Sequence, residues 1–170
     1  MSKNESYFSG EKYNLKAKKL GYRSRAAFKL IDINKKENIL RKNLNIIDLG
    51  SAPGGWSQVV SKELNGTGAI IAIDILDMPK IKDVKFIKSD LREFDQNKLN
   101  QPIDVVISDI APNISGVRFI DDTNMIDLLE IELSIVDKTL VKGGNFLAKC
   151  FEGRSTEFLS KEINKRFKIM

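Results

Sequence analysis

An α/β fold with a doubly wound, mostly parallel sheet and helices on both faces is predicted by three observations. Short apolar runs alternate with segments of helical period. Four of the runs close on an acidic residue, Asp48, Asp74, Asp90 and Asp109, and a fifth closes on Lys149. The first run passes into a helix through the glycine-rich turn Gly50-Ser51-Ala52-Pro53-Gly54-Gly55. Strands alternating with helices imply a parallel sheet, and in such sheets ligands sit beyond the carboxyl ends of the strands.

Taken in order, Met1 to Ser9 reads as a loose polar start and Lys12 to Leu20 as a basic, weakly helical stretch stopped by Gly21. Ser24 is a suitable N-cap for a helix from Arg25 to about Lys36, with Ala26, Phe28, Leu30, Ile31 and Ile33 as its apolar positions. Arg23, Arg25 and Lys29 crowd the first turn, where the helix dipole disfavours cations, so an anion is expected to visit. Leu44 to Ile47 is the first strand. A helix carrying Trp56, Val59, Val60 and Leu64 follows the glycine turn.

Asn65-Gly66-Thr67-Gly68 reads as a turn. Strands follow at Ala69–Ile73, Val84–Ile87 and Ile103–Ile107. Thr123 is a plausible cap for a long helix to Leu140 bearing Met125, Leu128, Leu129, Leu133 and Val136 near helical period. Gly143-Gly144 is expected to end that helix and Asn145–Ala148 to form a fifth strand. Ser155 reads as the cap of a last helix, and Lys168-Ile169-Met170 as the start of a further strand.

The 170 residues suffice for one α/β domain with a real core. With no internal repeat or linker, one domain with an N-terminal extension is expected: residues 1–43 as a basic extension and helix packed on the same domain, and 44–170 as the main body. No apolar run approaches the ~20 residues that span a bilayer, and Met1 to Lys19 lacks the apolar core of a secretory signal. Cys150 is the only cysteine and histidine is absent. An internal disulfide and histidine general-base chemistry are therefore excluded, a metal site is not expected, and a reducing compartment, the cytoplasm, fits.

Charge is unevenly spread. Residues 1–43 hold 12 Lys and Arg against 4 Asp and Glu, net +8; residues 44–152 hold 11 against 17, net −6. The basic head suits either a grip on a polyanion or a solvated face.

The glycine turn is neither a G-x-G-x-x-G nor a G-x-x-x-x-G-K-[ST] pattern. Its layout of strand, turn and helix brings backbone N–H groups to a ligand, and Gly54 and Gly55 leave room for close approach; a plain turn is the alternative. Asp74, 24 residues after Gly50, stands where a carboxylate accepts from ribose hydroxyls or serves as a turn aspartate. Asp90 suits an adenine amino group, with Leu91 against the ring, or a local turn. Asp109 and Lys149 end neighbouring strands and can converge, with Lys29 as a candidate neighbour. A lysine partly desolvated among cations can act as a base; the alternative is a surface ion pair, worth little.

Four ordered blocks add a resemblance. Arg23-Ser24-Arg25-Ala26-Ala27-Phe28-Lys29-Leu30, Asp48 through Gln58, Ser108 through Gly116, and Phe146 through Gly153 together resemble the FtsJ/RrmJ family of S-adenosylmethionine-dependent ribose 2′-O-methyltransferases, over about Tyr22 to Phe167. The resemblance implies a Rossmann-like methyltransferase fold. It places Lys29, Asp109 and Lys149 as the first three members of a Lys-Asp-Lys-Glu tetrad, with Lys149 as base or orienting group. It puts S-adenosyl-L-methionine contacts on Gly54, Trp56, Asp74, Asp90 and Asp109. The family's last block, which carries the glutamate and completes the sheet, has no counterpart before Met170, so the C-terminal strands are expected to be missing and the open edge to favour association. Ser51 stands where bacterial relatives favour alanine. The implied reaction is methylation of ribosomal RNA, at a uridine within the large subunit, by a monomer without metal. Transfer RNA as substrate, and a non-catalytic RNA- or ribosome-binding protein, are the alternatives.

Overall fold

The computed structural model describes residues 3–99 and 101–167. Five parallel strands form one sheet in the order β3-β2-β1-β4-β5: β1 Asn45–Leu49, β2 Ala69–Asp74, β3 Val84–Lys88, β4 Ile103–Ser108 and β5 Leu140–Ala148. Five helices accompany them: α1 Lys3–Lys19, α2 Ala26–Glu37, α3 Gly55–Leu64, α4 Arg118–Thr139 and α5 Arg154–Arg166. β1 lies at the centre because its run is apolar on both faces, as a strand covered on both sides must be.

Alternate residues of the strands feed two cores. Ile46, Ile70, Val105 and Ile107 meet Ala27 and Leu30 of α2 and Trp56, Val59, Val60 and Leu64 of α3. Ile47, Leu49, Ile71, Ile73 and Val106 meet Ile135 and Val136 of α4 on the opposite face. Ala27 and Leu30 thus pack α2 into the main core. α5 lies beside α4, with Leu159 against Met125, Leu129 and Leu133. Each of these fully buried aliphatic chains contributes roughly 1.5–3 kcal/mol, which holds the strand ends where the site forms.

Several local expectations are corrected. The first helix starts at Lys3 and not at Lys12. Residues 3–10 contain no proline or β-branched residue to break it, and Ala17 and the Tyr13–Phe28 ring contact, 6.1 Å between centroids, pin it to α2. Ser24 does not cap α2, whose first flanking residue, Arg25, is already helical with no side-chain cap. The Ser24 hydroxyl instead fills the space beside Gly55, where a Cβ would collide with it.

Thr123 lies inside α4, with Oγ1 donating back to the Phe119 carbonyl at 2.8 Å. The helix begins five residues earlier, and Asp121 accepts from the Ser115 and Gly116 N–H groups at 2.7 and 3.1 Å, tying the preceding loop to its first turn. Gly143 and Gly144 do not end the helix, which stops at Thr139. They lie in a bulge of β5, where the register jumps from Ile103 opposite Leu140 to Val105 opposite Asn145, and Gly143 sits at φ 83°. Ser155 is within α5, bonding back to the Phe151 carbonyl at 2.8 Å. The stretch Lys168-Ile169-Met170 lies outside the described residues. No helix among the described residues is long and apolar enough to cross a membrane.

Candidate functional site

The chain order reverses between β1 and β4, which are neighbours in the sheet. Two cavities, of about 600 and 440 Å³, open at the carboxyl ends there and share Gly50, Ala52 and Asp109 as a common wall. Gly50 is at φ 65°, and a Cβ on it would lie 2.6 Å from Cβ of Ile110. Only glycine lets the β1 and β4 ends approach this closely.

The larger cavity carries Asp74 and Asp90 with Ile75, Leu76, Leu91 and Ile110. Asp74 is nearly buried. Its Oδ2 accepts from the Ala52 N–H and its Oδ1 from the Leu76 N–H, both at 2.8 Å, so one carboxylate shapes the glycine turn and the loop after β2. Asp90 Oδ1 accepts from the Arg92 N–H at 2.9 Å. Carboxylates facing a cleft with aliphatic walls fit a nucleoside: oxygen acceptors for hydroxyl and amino donors, and apolar surface for a purine.

The smaller cavity is lined by Arg25, Lys29, Asp48, Trp56 and Asp109 among others. Asp109 stands between two ammonium groups, its Oδ1 3.6 Å from Lys29 Nζ and 3.2 Å from Lys149 Nζ. The Lys149 ammonium donates to the main-chain oxygen of Asp109, while the buried Oδ1 accepts no hydrogen bond. The three residues read from sequence as a convergent set are therefore in one place. Lys149 is mostly buried and Lys29 is more than half exposed, so the first is held and the second is free to follow a ligand.

Gly54 and Trp56 have internal contacts. The Gly54 N–H donates to the Ser51 carbonyl at 2.7 Å, and its α-carbon, at φ 106°, faces Ile81, Arg23 and Met78. The Trp56 indole N–H donates to the Ala26 carbonyl at 2.9 Å and ties α3 to α2. Arg23, read from sequence as a cation awaiting an anion, donates to three main-chain oxygens: Pro53 at 3.2 Å, Pro79 at 2.6 Å and Lys80 at 2.9 Å. It fastens the glycine turn to the 79–80 loop.

Two buried acids adjoin the site: Asp48, one of the four strand-end acids, and Glu132 of α4, which the sequence reading does not single out. Asp48 is fully buried at the end of β1, and its pKa is pushed up to about 7. Burial is the main cause; the negative charges of Asp109 and Asp74 add to it, and the hydrogen bond from Ser57 Oγ, at 2.5 Å, opposes it. Glu132 is fully buried on α4, and burial raises its pKa to about 8 against the opposing influence of a hydrogen bond from Ser108 and the charge of Lys149. The available signal is the pattern itself: Glu132 is an acidic residue on the stripe Met125, Leu129, Leu133, Val136, where an apolar one belongs.

Residues 22–170 match the family model of the FtsJ-like methyltransferases. The chain is 42% identical over 161 residues, 91% of its own length and 77% of the relative's, to the ribosomal RNA large subunit methyltransferase E of Pseudomonas fluorescens. It is 45% identical over 159 residues, 91% of its length and 62% of the relative's, to the protein of the same name from Methanocella arvoryzae. Among solved structures, one described as a ribosomal RNA methyltransferase from Plasmodium falciparum superposes with a TM-score of 0.80 at 29% identity, covering 87% of this chain and 88% of that one. A family model matched over residues 22–170, relatives 42% and 45% identical across nine-tenths of the chain, and a solved structure that superposes over most of both chains lead to one conclusion: the chain belongs to the FtsJ-like methyltransferase family.

Proposed function

We propose that the protein transfers a methyl group from S-adenosyl-L-methionine to a ribose 2′-hydroxyl of RNA, at a uridine of large-subunit ribosomal RNA, as a cytoplasmic monomer. The observation that carries this is the Asp109 carboxylate, set between Lys29 and Lys149 on the wall shared by the two cavities. One cavity fits a nucleoside cofactor. The other is lined by cations suited to a phosphate backbone, and phosphate contacts position such a substrate.

When bound, the cofactor supplies an electrophilic methyl on a sulfonium. Asp74 and Asp90 offer acceptors for its ribose hydroxyls and adenine amino group. Gly54 and Trp56 belong to the turn that seats it. On the acceptor side, Lys149 would orient the 2′-hydroxyl as an ammonium, or take up its proton once it stands as the neutral amine. Asp109 holds Lys149, and Lys29 adds positive charge on the RNA side. Most of the acceleration comes from alignment of the reacting atoms. The 2′-hydroxyl also makes RNA, and not DNA, the substrate. Mapping ribose methylation by mass spectrometry in ribosomal and transfer RNA, from cells with and without the protein, tests the reading. Loss of a mark only in transfer RNA would move the substrate assignment there.

Asp74→Ala is expected to weaken cofactor binding by about 1–3 kcal/mol, the scale of a hydrogen bond to a charged group, and calorimetry would measure it. Unchanged affinity would remove Asp74 from the site.

The RNA grip is assigned to the exposed cations Lys18, Lys19 and Arg25, and not to Arg23, which is engaged with three carbonyls. Replacing these three by alanine is expected to lower the slope of log affinity against log salt by roughly 2 to 3, at 0.7–0.9 per lost phosphate contact. An unchanged slope would make the basic head a solvated face.

A further inference from the structure

Ser108 is a junction. It is the last residue of β4 and fully buried. Its carbonyl accepts the Lys149 main-chain N–H at 2.9 Å. Its hydroxyl accepts the Ile110 N–H at 3.4 Å and donates to Glu132 Oε1 at 2.9 Å. Both backbone bonds flank the reactive pair: Lys149 follows β5, and Asp109 lies between Ser108 and Ile110. Ile110 in turn is the side chain that closes on Gly50. One serine thus holds the peptides on either side of the cavity wall, and Glu132 sets the direction of its hydroxyl.

Glu132 is an unusual residue for that task. It is fully buried, and its Oε2 has no partner among the described residues. A half-satisfied buried carboxyl is less favourable than an apolar side chain of the same size. Its environment keeps the proton on at neutral pH, so it acts as a neutral acceptor and leaves Asp109 as the carboxylate closest to Lys149.

We propose that Glu132 is a positioning residue: acting through Ser108, it fixes the β4 end so that Asp109 and Lys149 hold the geometry the reaction requires. The proposal rests on the function proposed above, and its test separates the two. Glu132→Gln keeps the acceptor for Ser108 and should leave kcat within about threefold of the parent. Glu132→Leu removes the acceptor, and Ser108→Ala removes the donor; each should lower kcat roughly 10- to 100-fold, the scale of a displacement of about 1 Å at a reacting centre. The KM for S-adenosylmethionine should stay near the parent value, and the melting temperature of Glu132→Leu should stay level or rise. A merely structural role would move the melting temperature and spare kcat. In the free proteins, acetylation of Lys149 by acetic anhydride, read by mass spectrometry, should change severalfold in both Glu132→Leu and Ser108→Ala, and not in Glu132→Gln. Parent kcat in folded Ser108→Ala overturns the proposal. So does unchanged Lys149 reactivity in both variants, whether or not the parent methylates RNA. If Glu132→Leu does not fold, Ser108→Ala decides alone.

Discussion

Replacing Lys149 by alanine is expected to lower kcat by about 10²–10⁴-fold, the range that a positioned proton-handling group supplies, while cofactor affinity stays within a few-fold of the parent. The separation follows from where the side chain lies. Its ammonium contacts Asp109, by 3.2 Å to Oδ1 and by donation to the main-chain oxygen. The wall that carries Asp74 and Asp90 does not include it. Arginine should not rescue the variant. A guanidinium keeps the charge but is larger, planar and never gives up its proton, and the space is fitted to an ammonium that reaches a carboxylate and a carbonyl together. Single-turnover methyl transfer and calorimetry on the same preparation provide the two readouts. Turnover within a few-fold of the parent would remove Lys149 from the proton path.

Stability is expected to fall as pH rises from about 4 to about 8, against the common pattern in which paired carboxylates strengthen a fold over the lower part of that range. Asp48 and Glu132 carry folded pKa values raised from 3.8 and 4.5 to about 7 and about 8. Between their unfolded and folded values, the native state holds protons that the unfolded state releases. The slope of unfolding free energy with pH is then negative. Their contribution is fully favourable below about pH 4, diminishes through the window, and is exhausted above about pH 8. The combined effect is on the order of a few kcal/mol, taking about 1.4 kcal/mol for each tenfold change in proton affinity and allowing for water entering the interior. Asp121 and Glu162 act oppositely. The Ser115 hydrogen bonds, and for Glu162 those from Lys165 and Arg166, hold them below the usual carboxylate range, so what they contribute is lost only under more acid conditions. Urea unfolding at pH 5 and pH 8.5 measures the slope, and Asp48→Asn combined with Glu132→Gln should flatten it. A parent whose midpoint stays level or rises over that interval would overturn the prediction.

The sheet is legible in the sequence because its strands are short apolar runs closing on charged residues, and that pattern survives in all five. The constellation at the carboxyl ends is legible for the same reason: Asp109 and Lys149 end adjacent strands, so their convergence follows from topology. Helix ends are less readable. Ser24, Thr123 and Ser155 have the chemistry of caps, but each hydroxyl has a nearer use: Ser24 against Gly55, and Thr123 and Ser155 on carbonyls four residues back. Gly143 and Gly144 suit a helix stop and a strand bulge equally well, and only the register with β4 decides. Arg23 misleads because a cation at a helix start looks like an anion site, whereas its partners are carbonyls 30 to 57 residues away that no local pattern reveals. Glu132 stands out by its place on an apolar stripe, but its partner Ser108 comes from a strand 24 residues earlier.

The wall common to the two cavities has a thermodynamic consequence. Gly50, Ala52 and Asp109 face both spaces, so an occupant of either that shifts them alters the free energy of filling the other. Such linkage is reciprocal: whatever factor the first guest imposes on the affinity of the second, the second imposes on the first. Titrating RNA in the presence and absence of the cofactor product, and the reverse, should therefore return one and the same factor, and its departure from unity measures how stiff those three residues are.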